Sequence, residues 1–408
     1  MKISYDTISA FGLIVCIFLP SLIFVLGFSS SMSGGILVVS LLILLLTLCN
    51  VNYALKSFWI INLILKIVIL LVSLLGAHFI IASFFVAKIQ DVERFIVSIT
   101  IVIVVTAAIL IFGSIISRLD QNKFHQSVDC TLLLMLTSAA TLLFGLDAFS
   151  TGAAKPSLLF SEPSHLSATL APFLIFKVVS KSGWWKVILC FTIVWSIVIQ
   201  NLTGLVLSLL VIFIAVNFKS ALILVSSILL AIILATDFNY FLSRITLSID
   251  NTNATALVFM QGWENAFLAM QQTLGLGVGF QQFGIANETG VLTERLGVLL
   301  DTSVNLFDGG STAAKLVGEF GILGAMFVIW LTARAMRAAY GVVKKGSNSY
   351  WTNLKMSADL ALMIEIWVRG FGYFTPGIFF YLCIQASYYC KFHQISLELN
   401  SIIRSENK

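Results

Sequence analysis

Glu162 and His165, in the segment FSEPSHL near the middle of the chain, are of the types that move protons at neutral pH. A carboxylate or an imidazole can take a proton from a hydroxyl once its surroundings tune it. Further along stand four cations of the type that grip anions, Arg244, Arg295, Lys315 and Arg369. A guanidinium fork is suited to phosphate in particular. Glu319 follows Lys315, and Glu365 precedes Arg369, each at the i, i+4 spacing of a helical ion pair, and Asp308 stands just before that first pair. The set therefore reads as a general base, Glu162 or His165, beside cations that could hold a membrane-borne diphosphate, with Glu319, Glu365 and Asp308 in support. Taken singly, each pair also suits plain helix packing, and Glu-x-x-His also suits the start of a helix.

The elements that must carry these residues are membrane helices. Of 408 residues, 59% are hydrophobic and only 11% charged, against about 25% charged in soluble domains. That balance excludes a cytosolic enzyme, a secreted disulfide scaffold and a disordered chain, and the long apolar runs exclude a transmembrane β-barrel. A helix needs about 20 apolar residues to cross a bilayer. The chain divides into twelve such stretches, near 8–28, 34–52, 57–80, 95–117, 129–148, 165–180, 184–200, 203–217, 219–236, 312–334, 354–373 and 377–392. This gives nine spans in 1–236, a large polar loop over 237–311, three spans in 312–392 and a tail over 393–408. Fifteen of the 24 Lys and Arg residues fall in the segments that are inner when the N-terminus is inside, and five in the outer ones. The asymmetry predicts both termini in the cytoplasm and the large loop outside.

Charges inside a span are costly. Lys177 is close enough to a span end to snorkel, and Lys66 and His78 read as packing contacts. Glu162, His165, Arg244, Lys315, Glu319, Glu365 and Arg369, with Arg295 and Asp308 of the large loop, all converge instead on the outer leaflet. The six cysteines lie in or at the ends of apolar stretches, with no CxxC and no His/Cys cluster of metal spacing, so neither disulfide nor structural metal is expected. In the loop, Phe259, Trp263, Phe267 and Met270 recur at helical spacing and predict an amphipathic helix. LGLGVGFQQFG reads as a tight turn, because it follows a helix and not a strand. A second helix over 291–306 completes a helix-turn-helix cap.

FSEPSHL ahead of a middle span, a large late outer loop with W-x-x-A-F and then LGLGVGFQQFG, and STAAKLVGEFGILGAMFVIWL returning to the membrane together resemble the O-antigen polymerase (Wzy) family. That family lies within the wider O-antigen ligase and polymerase group of membrane glycosyltransferases. The motifs span about residues 150–335. The resemblance implies an all-α, GT-C-like bacterial inner-membrane enzyme that needs no metal or other cofactor. It would move a growing glycan from undecaprenyl diphosphate onto a lipid-linked repeat unit at the periplasmic face. The implied partners are that lipid-linked oligosaccharide, membrane lipid and a chain-length regulator, with no nucleic acid. Many relatives carry Arg where this chain has Gln261, and ligases carry a His near the position of FDGGSTAAKL, where none stands here. The missing His favours polymerase over its nearest alternative, an O-antigen ligase. A lipid-linked oligosaccharide flippase would instead need charge reaching into the inner halves of the spans, which read as nearly charge-free.

Overall fold

The computed structural model describes residues 5–48, 58–86, 88–145, 158–235, 237–300, 306–345 and 349–406. Every regular element among them is helical. In chain order these are α1 (Tyr5–Val25), α2 (Met32–Leu48), α3 (Phe58–Ser83), α4 (Val92–Ser117), α5 (Gln121–Leu143), α6 (Pro163–Val179), α7 (Trp185–Val198), α8 (Leu202–Ala215) and α9 (Phe218–Ala235). The expected loop contributes α10 (Phe238–Ile245), α11 (Ala254–Gln272) and α12 (Val291–Leu300), and α13 (Thr312–Lys345), α14 (Tyr350–Met363) and α15 (Pro376–Glu406) follow. Each of the twelve apolar stretches overlaps a helix, though the one at 354–373 is helical only as far as Val368. Residues 49–52, 146–148 and 236 of those stretches, 301–305 of the second loop helix, and Lys2, Lys56, Cys49, Lys155, Asp301 and Lys408 lie outside the described residues.

Four helices are long and apolar enough to cross a membrane, or five if one bent pair, Phe218–Leu234 with Phe238–Ile245, is a single span, and five shorter apolar helices accompany them. The centre of the bundle is α6. A helix apolar on all sides must be surrounded, and every α6 residue from His165 to Val179 is buried. Glu162 and His165 thus stand at the head of the most enclosed helix, with Pro163 in its first turn, where a missing N–H costs nothing. Lys177, at the other end, does not snorkel: its Nζ meets Asp129 Oδ1 at 2.6 Å.

Two long helices are broken where the site needs backbone. In α13, Gly321 sits at φ 57°, ψ −131°, a conformation glycine adopts at little cost, and the helix kinks there. The carbonyls this frees are taken by the LGLGVG segment, with Val278 N–H donating to Gly318 O and Gly279 N–H to Glu319 O, each at 3.0 Å, while Ile322 N–H donates to Gly275 O at 2.8 Å. The segment is therefore a backbone clamp on a kinked helix, more than the tight turn its composition predicts. The second break follows α14. A π-turn over Ile364–Val368 ends at Arg369, whose φ −153°, ψ 102° is extended. Residues 369–375 stay unwound until Pro376 opens α15. Gly370 is required by close approach, since a Cβ there would run into the Thr312 backbone nitrogen.

The loop helices pack as a cap, on an unexpected face. Gln261, Gly262, Asn265, Ala266 and Ala269 of α11 are buried, whereas Phe267 is 59% exposed. Small residues let the backbone of α11 approach Gly309 at Gly262, so the close contact and not the aromatic stripe decides the buried side. Glu264 receives the Val291 and Leu292 amides at 3.1 and 2.9 Å, which anchors the start of α12.

Candidate functional site

A cavity of about 1580 Å³ opens where α1 ends and α2, α4, α6 and α8 begin. Pockets for one drug-sized ligand run to about 1,000 Å³, so this one has room for more. Glu162, His165, Arg244, Asp308, Lys315 and Arg369 all line it. The end of the bundle concerned is the one the Lys/Arg distribution predicts to face outside.

At the centre, Arg369 Nη2 donates to Glu162 Oε2 at 3.0 Å, and Ser164 Oγ donates to the same oxygen at 2.9 Å. Glu162 occupies the N-cap position of α6 without making the usual cap bond, because its carboxylate is engaged in this way. Burial pushes its carboxyl up, but the Arg369 charge beside it outweighs that and holds it below the usual carboxylate range. The expected Glu365–Arg369 pair does not form. The π-turn and the extended Arg369 backbone destroy the i, i+4 geometry, sending Arg369 to Glu162 and leaving Glu365 buried among Ala168, Pro172 and Gly377.

Arg244 comes from α10 and lies 4.5 Å over the Tyr240 ring. Burial and the nearby Arg369 charge pull its guanidinium below its ordinary value. The Nε atoms of Arg244 and Arg369 are both buried without a hydrogen-bond partner among the described residues. Two guanidiniums close enough to repel, each with an unspent donor, form a site that favours a multiply charged anion.

His165 is 5% exposed. Its Nδ1 shares a 2.8 Å hydrogen bond with Ser161 Oγ, and its ring meets Phe371 edge-on at 3.5 Å between centroids. Arg369 lies over the Phe371 ring as well, 4.6 Å from its centre. The unwound segment thus alternates, with Arg369 on Glu162, Phe371 on His165 and Tyr373 on the second charged group. There, Tyr373 O–H donates to Glu319 Oε2 at 2.8 Å. Lys315, 1% exposed, donates to Phe307 O at 2.7 Å and to Asp308 Oδ1 and Gln281 Oε1 at 3.4 Å each. Its three donors are thereby spent on protein, and Glu319 Oε1 lies 3.8 Å away. Lys315 thus ties the loop to α13 while also lining the cavity.

Arg295 stands apart from the cavity, 3.5 Å from Asp250 on an exposed face. Sequence position alone could not separate it from Arg244, since both lie on short helices of the same loop. Arg94, in the first turn of α4, does line the cavity, its guanidinium 4.5 Å over Phe307, yet its sequence reads only as one more loop charge. A second polar group lies toward the opposite ends of α13–α15, where Asp359, 4% exposed, receives Arg334 Nη2 and Lys355 Nζ at 2.7 Å each and Gln385 Nε2 at 3.1 Å. The inner halves of the spans are less free of charge than their sequence suggests, but this group is paired on every side and staples three helices. No three His, Cys, Asp or Glu side chains among the described residues are placed to hold a metal.

Fold and site together define a multi-pass helical membrane protein with a large charged cavity at the ends of its helices. No known family model matches the chain, and neither a curated protein nor a solved structure does.

Proposed function

We propose that the chain is a twelve-span, GT-C-like glycan polymerase of the bacterial inner membrane, acting on the periplasmic face with both termini in the cytoplasm. It transfers a growing glycan from undecaprenyl diphosphate to a lipid-linked repeat unit. The observation that carries this reading is the pairing of Arg244 and Arg369, each with an unspent buried donor, beside the Glu162 carboxylate in one large cavity. The motif resemblance to O-antigen polymerases supports it independently.

In this reaction the sugar's anomeric carbon loses its bond to the diphosphate oxygen and gains one to the acceptor hydroxyl oxygen, with inversion. The departing diphosphate carries its electron pair and negative charge onto Arg244 and Arg369, preorganised cations of the kind that lower such barriers most. The hydroxyl proton goes to Glu162, already ionised and within reach of the same arginine. As Arg369 turns toward the diphosphate, Glu162 is released from its ion pair at the moment it is needed as a base. His165, packed between Ser161 and Phe371, positions the head of α6. Lys315, Glu319, Asp308 and Tyr373 hold the unwound segment that carries Arg369. Arg295 has no part in the cavity.

Genetics tests the reading. Removing a polymerase leaves single repeat units on lipid A, and plasmid-borne wild-type protein restores the ladder of lengths. Loss of all repeat units from lipid A would identify a ligase instead, and failure of lipid-linked units to reach the periplasm would identify a flippase.

A further inference from the structure

The donor's reacting carbon is bonded directly to its diphosphate, so a donor diphosphate must lie beside Glu162, at Arg244 and Arg369. The acceptor is arranged the other way: its reacting hydroxyl is on the sugar farthest from its own diphosphate. A polymerase of the kind proposed above therefore needs a second diphosphate station, one repeat unit away across the same cavity, continuing into a path for a second hydrocarbon tail.

The stretch of cavity wall contributed by α4 has a cation followed by an apolar face. Arg94, Val97, Ser98 and Ile101 of α4 all line it, a spacing of i, i+3, i+4 and i+7 that marks one helix face. Seven residues at 1.5 Å each carry that face about 10 Å along the helix. Val97 is 53% exposed, whereas Ser98 and Ile101 are 7% exposed, so the path narrows as it leaves Arg94. Phe24 from the last turn of α1 and Met32 from the first turn of α2 add apolar lining to the same cavity. At its head, the Arg94 guanidinium lies over the Phe307 ring at the cavity wall, a cation placed to meet an anion there. Asp91 and Glu93 share that rim; as acceptors they suit sugar hydroxyls and leave the anion to Arg94.

We infer that Arg94 and the α4 groove over Val97, Ser98 and Ile101 form the binding site for the acceptor's prenyl diphosphate, separate from the donor station at Arg244 and Arg369. This rests on the polymerase reading and adds to it where the second lipid sits.

The test uses full-length protein in proteoliposomes with two substrates that cannot exchange roles. One is a prenyl-diphosphate repeat unit whose terminal hydroxyl is replaced by hydrogen, so that it can only donate. The other is linked through a phosphonate carbon that cannot leave, so that it can only accept. Arg94→Gln is expected to raise the half-saturating acceptor concentration about tenfold, the loss of one charge-assisted contact, and to leave the donor value unchanged. Val97→Trp, at an exposed position that tolerates bulk, should do the same, while Arg369→Gln should act on the donor side. Acceptor values unchanged in both the Arg94→Gln and Val97→Trp proteins, or equal shifts for both substrates, would overturn the inference. A diazirine-tailed acceptor analogue separates this from the parent reading: label at Val97 or Ile101 in excess of the outward-facing Ile96 supports the groove even if no transfer occurs, and equal label at Ile96 contradicts it. Absence of any transfer by wild-type protein refutes the polymerase reading instead.

Discussion

Arg369→Ala separates a catalytic cation from a structural one. The Arg369 side chain is 13% exposed and its partner Glu162 is 49% exposed. Because half-exposed Glu162 stays solvated without its partner, the pair is worth about 1 kcal/mol to folding, and the guanidinium resting on Phe371 adds about 0.5–1 kcal/mol. As a mere brace, then, Arg369 would cost under about 2 kcal/mol, a shift of a few degrees in melting temperature and little in turnover. As the group that receives the departing diphosphate, its loss should cost about 10²–10³ in kcat, or about 2.7–4 kcal/mol. The assay is initial transfer rate in proteoliposomes, normalised to folded protein by size-exclusion profile and thermal melt. Arg369→Lys restores the charge without the fork, and should recover only part of the rate. The variant also moves a titration. Arg369 holds the Glu162 carboxyl down against burial, which pushes it up; with the arginine gone, burial prevails and the acid limb of the pH–rate profile should move to higher pH. A kcat within about threefold of wild type, or a loss matched by loss of folded protein, would refute the reasoning.

Three further outcomes follow from the same geometry. Lys315→Met leaves Glu319, fully buried, without its cation, and should destabilise the protein by about 3–5 kcal/mol, read as a lower melting temperature; pairing it with Glu319→Met should recover much of that. The folded-state pKa of Glu162 lies below its ordinary value of 4.5, so the stability its ion pair supplies is fully present above that value and is lost only as pH falls through the lower one. Thermal melts of wild type and Glu162→Gln should therefore differ by a constant amount from neutral pH down to about 4.5 and converge below it. Arg295→Ala, outside the cavity and paired among the described residues with exposed Asp250, should polymerise within about threefold of wild type in the same transfer assay.

The spans were legible as long apolar runs, and several helix starts as capping residues: Asp91 and Asp120 cap spans, and Asp237 and Asn253 cap helices of the loop. The head of α6 was legible too, since Glu162, His165 and Pro163 stand together in one short segment. The breaks within helices were not. Gly321 and Val368 lie inside unbroken apolar stretches, and only the clamp from residues 275–279 and the π-turn reveal that the helices stop there. That hidden break is why an i, i+4 count pairs Arg369 with Glu365 when its backbone carries it to Glu162. Residue type was likewise incomplete for Lys315, whose shortest hydrogen bond goes to the Phe307 carbonyl, a partner no side-chain pattern can show. Arg94 was overlooked because its importance comes from Phe307 and the cavity, more than two hundred residues away in the chain.

The central claim is that this chain joins two lipid-linked glycans. Purified wild-type protein in vesicles, given a synthetic undecaprenyl-diphosphate repeat unit and nothing else, measures it directly. The account predicts a ladder of products, dimers first, with undecaprenyl diphosphate released in step. Recovery of the repeat unit unchanged, from protein that is folded and correctly inserted, would contradict it.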